Sequence, residues 1–146
     1  MNVVPKISII TPSYNQGKYL ERTILSVIQQ DYSNLEYIII DGGSTDNSVE
    51  VIKKYESNIT YWVSEKDRGQ SHALNKGFEK ITGDIVAWIN SDDWYERGVF
   101  ELIAKNFEKN PRAVWVGDCT RHYEKNGHLR ILKPEVPTFN SMVGYW

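Results

Sequence analysis

Asp92 and Asp93 stand side by side in Asn90-Ser91-Asp92-Asp93-Trp94, directly after the apolar run 85–89 (IVAWI). Adjacent carboxylates repel, and the edge of a core is a costly place for them unless something offsets their charge. A divalent cation shared with a diphosphate would do so, because it bridges protein carboxylates and phosphate oxygens. Mg²⁺ and Mn²⁺ choose such hard oxygen ligands. In that arrangement Asp93 is the metal ligand, and Asp92 faces ribose hydroxyls or shares the ion. Asp41, in Asp41-Gly42-Gly43-Ser44, could accept a hydrogen bond from a base N–H or a ribose hydroxyl. Tyr14 could stack on the base, a contact worth on the order of 1–3 kcal/mol.

Each feature also has an ordinary structural use. Acids ahead of an aromatic suit a helix N-terminus. Asp-Gly-Gly-Ser can be a turn followed by a helix cap, and Tyr14 can be a wall of the core. Asp67 beside Arg68 can be a surface pair worth under about 1 kcal/mol. His72, His122 and His128 have no metal-ligand spacing, and Cys119 has no neighbouring group to activate it. The functional reading gains from where the unusual residues fall along the chain.

The elements that must position them alternate. Residues 7–11 (ISIIT) read as a strand, and the stripe Leu20, Thr23/Ile24, Val27/Ile28 as an amphipathic helix. Residues 35–40 (LEYIII) form the second strand. Ser44 or Thr45 can cap a helix carrying Val49, Ile52 and Tyr55. Ile59, Tyr61 and Val63 alternate as a third strand. Gly69 opens a helix with Leu74, Phe78 and Ile81 on one face. Residues 85–89 are the fourth and most apolar strand, and Val99, Leu102, Ile103 and Phe107 mark another helix. Residues 113–116 (AVWV) read as a fifth strand ending near Asp118, and Asn126-Gly127 suggests a hairpin. This alternation predicts an α/β fold with a mostly parallel sheet, helices on both faces and a C-terminal hairpin-like extension. Ligands of such sheets bind outside the carboxyl ends of the strands. Those ends carry Thr11 to Asn15, Asp41 to Ser44, Ser64 to Gly69 and Asn90 to Trp94, so four polar ends converge on one edge.

Composition narrows the field. The 146 residues fit one domain, with a formal net charge of −2 and no basic block, which argues against a nucleic-acid partner. A single cysteine allows no internal disulfide, so a cytoplasmic setting is expected. No apolar run reaches membrane-spanning length. There is no G-x-G-x-x-G after the first strand, no G-x-x-x-x-G-K-[ST] and no G-x-S-x-G, which counts against dinucleotide, P-loop and serine-hydrolase chemistry.

Three stretches carrying four motifs together resemble the family 2 glycosyltransferases of the GT-A fold. Residues 7–48, beginning ISIITPSYNQG and ending IIIDGGSTDNS, resemble the family's N-terminal signature. DRGQSHALNKGF resembles the segment with A-x-N-x-G, and NSDDW resembles the D-x-D motif. The likeness runs from about Lys6 to about Asp118. It implies that Thr11, Pro12 and Tyr14 frame the base and ribose, and that Asp41 reads the base, commonly uracil. It places Asp67 and Arg68 in the region closing over the base, and Asp92 and Asp93 as the D-x-D pair with Asp93 on the metal. Two positions depart from the pattern: Asn90 stands where many members have the first Asp, and His72 stands where Asp is common.

The resemblance implies inverting transfer of a sugar from a nucleotide-sugar, UDP-linked by expectation, to a hydroxyl. The cofactor is Mn²⁺ or Mg²⁺. The acceptor is a glycan, a lipid-linked sugar or another hydroxyl compound, in cell-surface polysaccharide or glycan synthesis. Peripheral association with the inner face of the membrane would suit such an acceptor. No acid motif matching the family's general base precedes Trp146, so residues 1–146 are expected to be a single donor-binding domain lacking the acceptor and base portion. Asp118 is the one nearby acid that could substitute as base. The alternative is a nucleotide-sugar-binding module without catalysis, which predicts binding without transfer.

Overall fold

The computed structural model describes residues 4–123 and 127–133. The chain, read from its sequence as one domain, divides into two compact units, Met1–Pro111 and Arg112–Trp146.

The first unit is built on four parallel strands: β1 (Ile7–Ser13), β2 (Leu35–Asp41), β3 (Tyr61–Ser64) and β4 (Ile85–Trp88), in the order β3-β2-β1-β4. Ile7 pairs with Leu35 and with Ile85, and Ser13 with Asp41. Three helices intervene, α1 (Gly17–Ile28), α2 (Ser48–Lys54) and α3 (Gln70–Phe78), and α4 (Val99–Lys109) follows β4. Alternation along the central strands sends side chains to two faces. Ile7, Ile9, Tyr37 and Ile39 pack with Leu20 and Ile24 of α1, Ile52 of α2 and Phe100 of α4. Ile10, Ile38 and Ile40 meet Ala73 of α3 on the opposite face. With helices on both sides, β1 is buried along its whole length. That explains why its sequence is a run of β-branched residues and not an apolar-polar alternation. Each such isoleucine stabilises the fold by about 1.5–3 kcal/mol relative to exposure. The α3 helix approaches closely because Gly77 lies against Ile10, where an added Cβ would come within 2.6 Å of Ile10 Cγ2.

The expected strands and helices in this unit form, with shifts at their ends. Helix α2 begins at Ser48, later than a cap at Ser44 or Thr45 would place it. Both of those hydroxyl residues are used elsewhere, and Asp46 serves the helix starts. Its Oδ1 accepts from the Ser48 amide and its Oδ2 from the Gly17 amide, both at 2.9 Å. Burial works against this carboxylate, but the donors prevail and hold it below the usual carboxylate range. Strand β4 is less buried than its composition suggested. It pairs with β1 alone among the described strands, and Val86 and Trp88 stay exposed.

The second unit corrects a larger expectation. Residues 113–116 form no strand, and Val114 and Val116 are exposed. Four apolar residues with no pairing edge do not make a strand, because extended backbone needs a neighbour for its hydrogen bonds. Its described strands are β5 (Cys119–Tyr123) and β6 (His128–Leu132), an antiparallel pair with Cys119 opposite Leu132. This is the hairpin expected at Asn126-Gly127. Gly127 has φ +65, the conformation such a turn requires, while Asn126 lies outside the described residues. Asp118 precedes β5 and does not end a strand of the parallel sheet.

Candidate functional site

A cleft of about 720 Å³ opens at the carboxyl ends of the four parallel strands. β1 contributes Pro12 and Ser13, followed by Tyr14; Gly42 and Gly43 follow β2; Lys66 and Asp67 follow β3. Asn90, Ser91 and Asp92 follow β4, and Gln70 and Ala73 come from α3. The edge predicted from strand order is therefore the edge that opens.

Asp92 and Asp93 are both exposed, and their loop is pinned from behind by α1. Thr23 Oγ1 donates to the Asp93 carbonyl at 2.7 Å, and Gln30 Nε2 donates to the Glu96 carbonyl at 2.9 Å. Ser26 Oγ accepts from the Tyr95 amide at 3.1 Å. The Arg22 guanidinium lies 3.3 Å from the centre of the Trp94 ring, a stacked cation–π contact. The backbone is thus fixed by α1 while the two carboxylates stay toward solvent. Asn90 Nδ2 donates to Asp93 Oδ2 at 3.2 Å, and Gln70 Nε2 donates to Asn90 Oδ1 at 2.6 Å, tying α3 to the same loop. Neither acid serves α4 as a cap, since that helix starts behind Gly98.

Among the described residues no three His, Cys, Asp or Glu side chains group as a metal cage. Two exposed carboxylates still suit a hard cation that takes its remaining oxygens from a phosphate-bearing ligand and water, as Mg²⁺ commonly does. The donor set fits that kind of ion.

Asp41 is engaged by the loop that follows it. It is fully buried (0% exposed) and does not line the cleft. Its Oδ2 accepts from the amides of Gly43 at 3.1 Å and Ser44 at 2.8 Å and from Ser64 Oγ at 2.6 Å. Its Oδ1 accepts from Ser44 Oγ. These bonds shape the Gly42–Ser44 loop around the carboxylate. Ser44 Oγ also accepts from the Asn15 amide at 2.8 Å, and Asn15 Oδ1 accepts from the Thr45 amide at 2.8 Å. The loops after β1 and β2 are thereby locked together.

Thr11 is buried and outside the lining, and its hydroxyl meets Tyr37 Oη at 3.0 Å. Pro12, Tyr14, Asp67 and Asp92 line the cleft, with Tyr14 58% exposed. Arg68 is exposed, and neither it nor Asp93 is part of the lining. The His72 ring accepts from the Arg68 amide at 3.1 Å through Nδ1. The departure at His72 therefore organises the loop into α3.

Sequence reasoning passed over Lys66, Gln70 and Ser13. Lys66 is a cation within the cleft and suits a phosphate; its signal was its place in Glu65-Lys66-Asp67-Arg68 at a strand end. Ser13 Oγ is buried with no hydrogen-bond partner, and no sequence signal marks it.

A parallel sheet with helices on both faces, and an acid-bearing cleft across the ends of its strands, defines an α/β domain with an open site at the carboxyl edge of its sheet. Residues 8–144 match the model of glycosyl transferase family 2, and the chain belongs to that family. Glycosyltransferase GlyA of Streptococcus pneumoniae is 33% identical over 130 residues, covering 87% of this chain and 18% of its own length. A mannosyltransferase of Pyrobaculum calidifontis, solved in complex with GDP-Man and Mn²⁺, superposes with a TM-score of 0.65 at 25% identity. It covers 86% of this chain and 38% of its own. TarS (residues 1–349) of S. aureus in complex with UDP gives 0.64 at 25% identity, over 71% of this chain and 32% of its own. The fold is the GT-A architecture, and the chain spans well under half the length of these relatives.

Proposed function

We propose that the cleft binds a nucleotide-sugar together with a divalent cation, as the donor site of an inverting glycosyltransferase. The observation that carries this reading is the pair Asp92 and Asp93. They are exposed acids on a backbone pinned by α1, and Asp92 lines a cleft that also holds Tyr14 and Lys66. Support comes from the relatives solved with GDP-Man and Mn²⁺ and with UDP.

In this reading Tyr14 and Pro12 lie against the base and ribose, and Lys66 meets a phosphate. Asp93 holds the cation, and Asp92 shares it or meets the ribose hydroxyls. When bound, the cation neutralises charge on the departing diphosphate. An acceptor hydroxyl attacks the anomeric carbon from the side opposite the diphosphate, forming the new C–O bond. The old C–O bond breaks with its electron pair on the diphosphate, and the configuration inverts. A general base takes the hydroxyl proton.

The test is a panel of thermal melts with UDP, GDP, dTDP and CMP, each with and without Mn²⁺. A nucleoside diphosphate at a hundred times its Kd should stabilise by about 2.7 kcal/mol, and only in the presence of Mn²⁺ at full strength. No stabilisation by any nucleotide would overturn the proposal.

A further inference from the structure

With Asp41 turned inward, the question is which group of the cleft meets the edge of the base. The structure assigns that role to Asp67, an inference that rests on the nucleotide reading of the cleft.

Asp67 lines the cleft, and its Oδ1 accepts from the Gly69 amide at 2.8 Å, which fixes the carboxylate at the start of α3. Its Oδ2 has no hydrogen-bond partner among the described residues. The carboxylate lies over Gly42: a Cβ added there would come within 2.9 Å of Asp67 Oδ2 and 3.2 Å of its Cγ. Gly42 is therefore the vacancy into which Asp67 reaches from the neighbouring strand end. The Gly42 amide donates to the Ser13 carbonyl at 2.8 Å, which holds this loop against the end of β1.

A carboxylate with a free oxygen accepts and does not donate. It selects bases that carry a ring N–H on the pairing edge: uracil, thymine and guanine. Cytosine and adenine present a bare ring nitrogen there and are repelled. The Asp67 carboxylate thus sets the class of donor nucleotide, while Asp41 holds the loop on which Gly42 sits.

The experiment is calorimetric titration of UDP and CDP, with Mn²⁺, into the wild-type chain, Asp67→Asn and Gly42→Ala. Asparagine keeps an acceptor for the Gly69 amide and loses the charge. Alanine at 42 leaves Asp67 in the chain and displaces its carboxylate. The wild type should prefer UDP over CDP by about tenfold to a hundredfold, as expected for a hydrogen bond to a charged group. Both variants should bring that preference to within about threefold, with melting temperatures close to wild type. Retained preference in both variants, or equal losses for UDP and CDP, would overturn the role of Asp67 and leave the donor site standing. If the wild type binds neither nucleotide, the donor site itself falls, and this assignment with it.

Discussion

The two ends of the parallel sheet treat their acids in opposite ways. At the amino end, Glu36 of β2 is buried (4% exposed) and fully engaged. It accepts from Ser8 Oγ, from the Thr82 amide at 2.7 Å and from Thr82 Oγ1 at 2.8 Å, with Lys6 Nζ at 3.1 Å. Burial pushes its pKa up, but these partners outweigh burial and bring it down to about 2. At the carboxyl end, Asp92 and Asp93 are exposed, and Asp67 keeps one oxygen free. Asp41 sharpens the contrast. It lies at the carboxyl end, yet its oxygens are spent on its own loop, as those of Glu36 are spent on theirs. Whether the lone pairs of an acid are already used separates an acid that holds the fold from one that awaits a ligand. Position on the sheet alone does not.

The largest expected effect lies at the amino end. Glu36→Gln leaves Lys6 and one Thr82 donor poorly matched, and should cost about 3 kcal/mol in urea denaturation. UDP affinity of the folded protein should not change. A loss of affinity without a loss of stability would reverse the comparison.

The pH dependence of stability reads the same group. The Glu36 pKa is depressed on folding, so its stabilisation is fully present above the ordinary carboxylate value of 4.5 and is lost as pH falls through about 2. The loss approaches about 3 kcal/mol, at about 1.4 kcal/mol for each tenfold change in proton affinity. Acid titration of the melting temperature should show this component in the wild type and lack it in Glu36→Gln. Identical profiles for the two would remove the buried network as its cause.

A smaller effect is expected at the carboxyl end. Tyr14 is more than half exposed, so Tyr14→Ala should leave the melting temperature nearly unchanged. UDP affinity should fall by about tenfold, the lower part of the range for a base stacked on an aromatic ring. A drop in stability with unchanged affinity would make Tyr14 a packing residue.

Much of this contrast was legible in the sequence. The β-branched runs and the helical stripe from Leu20 to Val27 place the sheet and α1, because burial on both faces of a strand and on one face of a helix imposes different periods. The strand ends then point to the cleft, and Pro12, Tyr14, Asp67 and Asp92 line it. What the sequence hides is direction. Asp41-Gly-Gly-Ser reads alike whether the carboxylate turns out to a ligand or inward to its own amides. The choice depends on Ser64, which is distant along the chain and arrives with β3. Gly42 looks like a turn residue until Asp67 is seen lying over it. Residues 113–116 carry strand composition, but composition does not supply a pairing edge.

The central proposal is that the exposed pair Asp92 and Asp93 takes a cation shared with a diphosphate. The most direct measurement is the Mn²⁺ dependence of UDP binding, by calorimetry, in the wild type and in a chain carrying both Asp92→Asn and Asp93→Asn. The wild type should gain at least about tenfold in affinity from Mn²⁺. The double variant should gain nothing and should melt no lower than the wild type, since removing two adjacent like charges costs the fold little. An equal Mn²⁺ gain in both proteins, or a double variant that unfolds, would contradict the account.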